Sequence, residues 1–442
     1  MRLALIVVSL PFLLVISAAA IGVENTRLLG STAEVIIFSC LYWGLAVLFI
    51  FAASKIHKLW PSYLIGVCSG LIFLVIAELA FRSLYSNYTI NRLHTQPSEQ
   101  YHHIFPPHHT LFLGENSLQK IYAYTNQDGL RTHYSRDEFK EKNLRIALLG
   151  DSFVFGQALP KEDILSEKLE QQLKHRLQSD QVAVLNAGII SYSPLLEFQL
   201  FEGIVKHYRP NLVLLLLDAS DIGDDIKYNR DLDPGAQELR FKIPEVASAS
   251  SSPSALIQAL FLHPNMLTRW LRFPRLAAQV LRGQTPTAPY NYYDFGISVA
   301  GGVETDRFFI FRHPLEVTRP YFEKTLAQID RIAAAVQAQQ SRFVLVVLPR
   351  YQHWNKAEAP QNWELRNYQL DEQFLFEYFR FFDEARSKAP YPIFSLLPTF
   401  QATREYPLVF PADPHWNAAG HTFVAKALAE YLLVEQLVPK LD

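Results

Sequence analysis

The residues whose types and spacing could do chemistry stand at two distant points of the chain. Gly150-Asp151-Ser152 follows directly on the apolar run Leu144–Leu149, and Asp413-Pro414-His415-Trp416-Asn417 lies far downstream. A serine hydroxyl is a weak nucleophile until a base takes its proton, and a histidine steered by a carboxylate is the usual base. Asp413 and His415 are close enough in sequence for one short loop ahead of a helix to deliver both. A strand that ends in a small residue and a serine presents that hydroxyl at the carboxyl end of a sheet, where α/β proteins build their sites. The chemistry on offer is acyl transfer through Ser152, with His415 as base and Asp413 orienting it.

The elements that must position these residues alternate in the strand–helix manner. Leu144–Leu149, Val182–Leu185, Leu212–Leu217, Arg342–Leu348 and Ile393–Leu396 read as buried strands. Helices are expected over Glu162–Leu177, near Leu195–His207, over Tyr321–Gln339, near Asp371–Ala385 and from Asn417 to Leu433. The first carries Leu165, Leu169, Leu173 and Leu177 on one face, and the third carries Phe322, Leu326, Ile329, Ala333 and Val336 on one stripe. Asn417 is the expected N-cap of the last helix, holding the His415 loop in place. Five parallel strands with helices on both faces make an α/β domain, doubly wound and flavodoxin-like.

These blocks resemble those of the SGNH hydrolases, the GDSL-type serine esterases, over residues 143–442. Gly150-Asp151-Ser152-Phe153-Val154-Phe155-Gly156 is similar to the family's nucleophile block. Asn186-Ala187-Gly188 matches the block whose glycine gives an oxyanion-hole amide. Ser220-Asp221 stands where the third block normally has Asn-Asp, and Asp413 with His415 matches the last. Upstream, Asn126-Gln127-Asp128-Gly129-Leu130-Arg131 resembles the lead-in that membrane-anchored bacterial members often carry. The resemblance implies Ser152, His415 and Asp413 as the catalytic triad. It implies the amides of Ser152 and Gly188 as oxyanion donors, helped by Ser220 if its hydroxyl reaches. No cofactor and no metal is expected. Asp151 reads as a brace of the nucleophile loop and Asp221 as a helix cap. Asp224 and Asp225 read as solvated loop carboxylates, and His421 as a packing residue.

Charge gives no sign of a nucleic-acid partner, and none is expected: 41 basic and 43 acidic residues nearly cancel, and no basic run stands out. The only cysteines, Cys40 and Cys68, both fall in apolar segments, which leaves the remainder without a disulfide or a zinc-type spacing. Three apolar stretches, Leu3–Ile21, Val35–Ala53 and Tyr63–Phe81, have the length of about 20 residues that a bilayer span needs. Residues 1–84 therefore read as a three-helix membrane anchor. The first stretch could instead be a signal peptide, with Arg2 as basic head and Ala18-Ala19-Ala20 as cleavage site, but an uncleaved helix is preferred. Lys55, His57 and Lys58 between the second and third spans place that turn in the cytoplasm and everything after Phe81 outside it. Glu78 and Arg82 read as an interfacial ion pair.

Residues 85–142 read as an irregular lead-in, with Thr110–Phe112 and Lys120–Tyr124 pairing as short strands around a Gly114-Glu115-Asn116 turn. Its doublets His102-His103 and His108-His109 read as solvated loop histidines in preference to metal ligands. The insertion at about 226–320 is too long for a simple connection. It holds the flexible run Ala247–Ser254, an apolar segment Leu256–Leu281 with Trp270, and the aromatics Tyr290, Tyr292, Tyr293, Phe295, Phe308, Phe309 and Phe311. A lid or an acceptor groove over the site and a small satellite core are both open for it.

Three function classes follow. The leading one is a serine esterase acting on O-acyl groups of carbohydrates in a bacterial envelope, held in the inner membrane with its catalytic part outside. A polysaccharide O-acetyltransferase with a membrane acyl-donor partner is the alternative, since Asp413-Pro414-His415-Trp416 is similar to the block in the alginate-type acetylation proteins. A non-catalytic polysaccharide-binding or assembly protein is third. The expected partner is an ester-bearing substrate, a polysaccharide among the candidates.

Overall fold

Leu212–Leu217 is apolar at every position because it is the middle strand of a parallel sheet covered on both faces. The computed structural model describes residues 95–115, 120–234, 239–242, 296–355, 357–360, 362, 364 and 368–438. These fall within one unit, Ile90–Pro244 with Tyr293–Asp442. The three apolar stretches, both cysteines, Glu78, Arg82, Ala247–Ser254, Leu256–Leu281 and the aromatics 290–295 lie outside the described residues. Among those described, no helix is long and apolar enough to cross a membrane.

The lead-in is more ordered than its sequence implies. Strands β1 (Gln96–Ser98) and β2 (His102–Ile104) form one antiparallel hairpin, and β3 (Thr110–Glu115) and β4 (Lys120–Tyr124) form another. Strand β3 runs through Gly114 and Glu115, which the sequence reading placed in the turn, by means of a register shift between Phe112 and Gly114. Ile104, Phe105, Leu111, Ile121 and Leu130 bury their side chains in the same core as the sheet, so the segment is integral to the domain. Helix α1 (Arg136–Lys140) follows, started by a capping box between Ser135 and Glu138.

Strand β5 (Leu144–Gly150), helices α2 (Ser152–Phe155) and α3 (Leu165–Leu177), strand β6 (Val182–Gly188), helix α4 (Pro194–Gly203), strand β7 (Leu212–Leu217) and helix α5 (Asp221–Arg230) come next. The insertion contributes the hairpin β8 (Ile297–Val299) and β9 (Gly302–Glu304). Helix α6 (Leu315–Ala338), strand β10 (Arg342–Val347), helix α7 (Glu377–Arg386), strand β11 (Ile393–Ser395) and helix α8 (Leu397–Ala402) complete the alternation. A last hairpin of β12 (Val409–Phe410) and β13 (Asp413–Trp416) leads into helix α9 (Ala418–Val434).

The sheet order is β11-β10-β7-β5-β6, all parallel, the flavodoxin-like doubly wound order expected. Side chains alternate across it. Leu149, Leu185, Val213 and Leu345 face a core shared with Leu200 of α4, Phe322 and Ile329 of α6 and Phe382 of α7. Leu148, Val184, Leu214 and Val346 face Leu169 of α3 and Leu428 of α9. Burying each such side chain contributes about 1.5–3 kcal/mol.

Three expectations are corrected. Helix α6 starts six residues before Tyr321 and carries Pro320 inside it. The sequence reading treated that proline as a boundary, but Leu315 and Thr318 are fully buried and hold the first turns in place. The helix expected over Leu195–His207 divides at Gly203 into α4 and a separate 3₁₀ turn, Val205–Tyr208. Phe308, Phe309 and Phe311, expected in a lid or satellite core, are buried in the main core.

Candidate active site

Helix α2 places Ser152 at its first turn, immediately after strand β5. This is beside the switch point of the sheet, where β6 lies on one side of β5 and β7 on the other. Asp151 caps the helix: its Oδ1 accepts the Phe153 amide at 2.8 Å. Its carboxyl is pushed up to about 6 by burial and by the charge of Asp218. The bracing role expected of Asp151 is therefore what its contacts describe.

His415 reaches Ser152 across 263 residues of sequence, with Nε2 at 2.7 Å from Oγ. On its other side, Nδ1 hydrogen-bonds Oδ1 of Asp413. The same oxygen accepts the His415 backbone amide at 3.0 Å. With the ring neutral, Nδ1–H donates to Asp413 and Nε2 accepts from Ser152. Burial pulls the imidazolium pKa down, but the charge and hydrogen bond of Asp413 outweigh it and leave the ring above its ordinary value. Ser152 Oγ also lies 3.3 Å from Asp151 Oδ2, a longer contact than the one to His415.

The expected Asp–His loop is instead part of strand β13, paired antiparallel with β12. Buried Trp416 packs edge-on to Phe153 at 4.9 Å, and His415 lies 5.0 Å from the same ring. The nucleophile helix and the histidine strand thus share one aromatic support. Asn417 caps α9 as expected, accepting the Gly420 amide at 3.0 Å, and its Nδ2 donates to the carbonyls of Pro407 and Val409.

Gly188 ends β6 in register with Gly150. A Cβ there would sit 2.3 Å from the backbone nitrogen of Phe155 and 2.7 Å from the carbonyl carbon of Val154. The glycine is needed because β6 approaches the backbone of the nucleophile helix that closely. Its amide donates to Oδ1 of Asn186 at 3.0 Å, while Asn186 Nδ2 donates to the Val154 carbonyl at 2.9 Å. An oxyanion could accept from Gly188 only as a three-centre partner or after Asn186 turns. The Ser152 amide, first in its helix, has no intrahelical acceptor.

Ser220 does not offer the donor expected of it. Its hydroxyl donates to Asp218 Oδ2 at 2.5 Å, and a hydroxyl has one proton. Asp221, expected as a helix cap, accepts the Asp218 amide at 2.9 Å and is fully buried at the start of α5. Asp224 and Asp225 are not solvated: both lie buried on α5, Asp224 paired with Arg307 at 3.1 Å and Asp225 accepting the Leu195 amide at 2.9 Å. Helical periodicity turned both toward neighbouring elements, which a run of acids in sequence does not announce. His421 is buried and packs edge-on to Trp416, as expected of a packing residue.

Two groups that sequence reasoning missed hold this site. Buried Arg131 donates from Nη1 to the carbonyls of Phe155 at 2.8 Å and Gly156 at 2.7 Å, and from Nη2 to Leu159 at 2.6 Å. It closes the carboxyl end of α2, and burial draws its pKa down to about 9. Its signal was present as the last residue of the lead-in block. Arg350, just past the carboxyl end of β10, is buried, donates to Asp218 at 2.6 Å and to Glu364, and lies 5.7 Å from the Phe153 ring. Burial pushes the Asp218 carboxyl up, and the Arg350 charge outweighs that and holds it below the ordinary range. Glu197 of α4 and Asp221 are pushed well up by burial, and next by the charge of Asp151.

Among the described residues no cluster of His, Cys, Asp and Glu is arranged to hold a metal. His102 and His103 are not solvated loop residues. Their Nδ1 atoms are 2.7 Å apart, and His103 Nε2 lies 2.8 Å from the carbonyl oxygen of Ile190, in the loop after Gly188. Burial and its histidine neighbour bring His103 down to about 3. His108 and His109 are exposed, as expected.

The chain matches no protein-family model and no curated protein. Among solved structures it is similar to an acetylxylan esterase from Geobacillus stearothermophilus, at 11% identity and TM-score 0.33 over 65% of this chain and 94% of that one. It is also similar to a lipase/acylhydrolase from Enterococcus faecalis, at 10% identity and TM-score 0.36 over 66% and 97%. An alpha/beta hydrolase enzyme from the metagenome of Lake Arreo is similar at 12% identity and TM-score 0.34 over 67% and 97%. Likenesses at this level carry no argument about activity.

Proposed function

We propose that this chain is a serine esterase of the SGNH type, acting through an acyl-enzyme on O-acyl groups of envelope carbohydrates. The observation that carries the reading is the hydrogen-bonded chain Ser152–His415–Asp413, assembled from the two ends of the domain. In this reading His415 takes the Ser152 proton as the hydroxyl attacks the ester carbonyl, and Asp413 stabilises the imidazolium. The oxyanion rests on the Ser152 amide, with Gly188 as second donor once Asn186 shares or releases it. His415 returns the proton to the leaving alcohol, and water repeats the sequence on the acyl-enzyme. Every proton is moved by the protein's own side chains, so the reaction requires no cofactor.

The three apolar stretches and the lysines between the last two support an inner-membrane anchor with Arg82–Asp442 on the outer side. The similarity of Asp413-Pro414-His415-Trp416 to the alginate-type block favours a second reading, transfer of the acyl group to a sugar hydroxyl with a membrane partner supplying the donor.

The test is to assay the solubilised full chain on aryl esters of increasing acyl length, with and without an oligosaccharide acceptor. Acyl release into water supports the esterase, and product only on the sugar supports the transferase. Ser152→Ala and His415→Ala should each remove nearly all activity, with the double variant hardly worse, because the two act as a unit. Strictly additive losses would show that they share no chemical step. Silence toward every ester would leave the polysaccharide-binding reading.

A further inference from the structure

At the end of the sheet opposite Ser152 lies a second polar site. A cavity of about 790 Å³ opens at the amino-terminal ends of β5, β7 and β10, lined among others by Arg136, Lys140, Arg145, Lys206, Arg209 and Asn211. Strand β5 spans seven residues between this cavity and the nucleophile turn, about 20 Å at the rise of an extended chain. The cavity is therefore separate from the candidate active site.

Its charges are only partly balanced. Arg136 makes a two-pronged contact with Asp128 at 3.0 and 2.6 Å. Lys140 pairs with Asp137 at 3.2 Å and Lys206 with Glu202 at 3.1 Å. Among the described residues, Arg145 and Arg209 pair with no carboxylate. Arg145 is instead fixed by backbone carbonyls, donating from Nε to Arg209 at 2.7 Å and from Nη1 to Lys142 at 2.5 Å. Its strand amide donates to Asn211 Oδ1 at 2.8 Å. Burial and the nearby charge of Arg209 lower the Arg145 pKa. Two guanidinium groups thus line one cavity, that of Arg145 fixed by backbone carbonyls, and among the described residues neither is neutralised by a carboxylate.

We propose that this cavity binds a phosphate-bearing ligand. Two unpaired guanidinium groups match a doubly charged phosphate or pyrophosphate, where a single carboxylate would neutralise only one of them. The planar fork of Arg209 suits phosphate oxygens, and Arg145 has three N–H groups beyond the two its carbonyl contacts use. The flanking Asn211 and the lysines add further donors, and the polar lining does not suit an apolar ligand. The phosphate could come from a soluble ester or from a lipid headgroup.

The test is calorimetric titration of the full chain with pyrophosphate, first in zwitterionic detergent and then in phosphatidylcholine nanodiscs with and without phosphatidylglycerol. Binding should weaken at high salt. Arg209→Gln and Arg145→Gln should each lower affinity by about tenfold, the loss of a hydrogen bond to a charged group. Arg145 also ties backbone together, so thermal unfolding serves as the fold check, and exposed Arg209 carries the decision if Arg145→Gln is unstable. Pyrophosphate competed away by phosphatidylglycerol assigns a headgroup, and undisturbed binding assigns a soluble ester. No binding at millimolar pyrophosphate, binding unaffected by Arg209→Gln in a folded variant, or a preference for an oligouronate would overturn the proposal.

Discussion

The hydroxyl of Ser220 lies 2.5 Å from Oδ2 of Asp218, and the Ser220 amide donates to the same oxygen at 3.0 Å. Asp218 also holds Arg350, so Ser220 belongs to a buried ion-pair network. Removing a true oxyanion donor costs about 10²–10³ in turnover. Ser220→Ala should instead leave turnover within a few-fold of the parent and lower stability by about 1 kcal/mol, the net value of one hydrogen bond. Steady-state kinetics beside a urea titration separates the two. A hundredfold drop in kcat with unchanged stability would restore Ser220 to the oxyanion hole.

The pH dependence follows from His415. As base it must be neutral, and it is protonated below its pKa, which Asp413 holds above the ordinary 6.5. The acid limb of kcat/KM should therefore lie above pH 6.5, with activity rising as pH increases through it. In Asp413→Asn the charge that raises the ring is gone. The limb should move to lower pH while kcat falls by about 10⁴, as expected when the imidazole loses its orienting carboxylate. An acid limb that stays in place in this variant would mean that another group sets it.

Gly188→Ala tests how closely β6 is set against the nucleophile helix. The new methyl meets backbone atoms of Val154 and Phe155, which cannot rotate away. The variant should lose about 1–3 kcal/mol of stability, as overpacked interiors do, and most of its turnover, since Ser152 moves with its helix. Parent-like turnover in a correctly folded variant would show that the helix tolerates displacement.

Arg131→Met removes the guanidinium donor from the carbonyls of Phe155 and Leu159 and leaves Gly156 with only the Leu159 amide at 3.3 Å. Unfolding free energy should fall by about 2–4 kcal/mol, since buried unsatisfied acceptors cost about 1–3 kcal/mol each and partly rehydrate. Arg131→Lys should recover only part of this, because an ammonium group cannot reproduce the fork that spans three carbonyls. Full recovery by lysine in urea titrations would mean that charge, and not geometry, is what the site requires.

Much of the fold is legible along the chain because a parallel sheet covered on both faces forces unbroken apolar runs, as at Leu144–Leu149 and Leu212–Leu217. Strand β6 runs beyond the expected Leu185 because pairing of Asn186 and Gly188 with Leu148 and Gly150 continues through turn-forming residue types. Ser152, His415 and Asp413 were candidates from residue type and local spacing alone. The approach of His415 Nε2 to Ser152 Oγ at 2.7 Å depends on the tertiary packing of β13 against α2. Direction was decided by local backbone conformation: a hydroxyl or amide donates to the acceptor that the backbone at its strand end brings near, here one two residues back. Asp218 is that acceptor for Ser220, and Asn186 for Gly188. Arg131 shows the same division. Its place in the lead-in block was visible in the sequence, but its partners lie 24 to 28 residues away, on a helix end that exists only after β5 is buried. Local sequence determines which groups can donate, accept or ionise, because that is covalent chemistry. What they donate to, and how far their charges are felt, is set by backbone conformation, by burial and by contacts between distant segments.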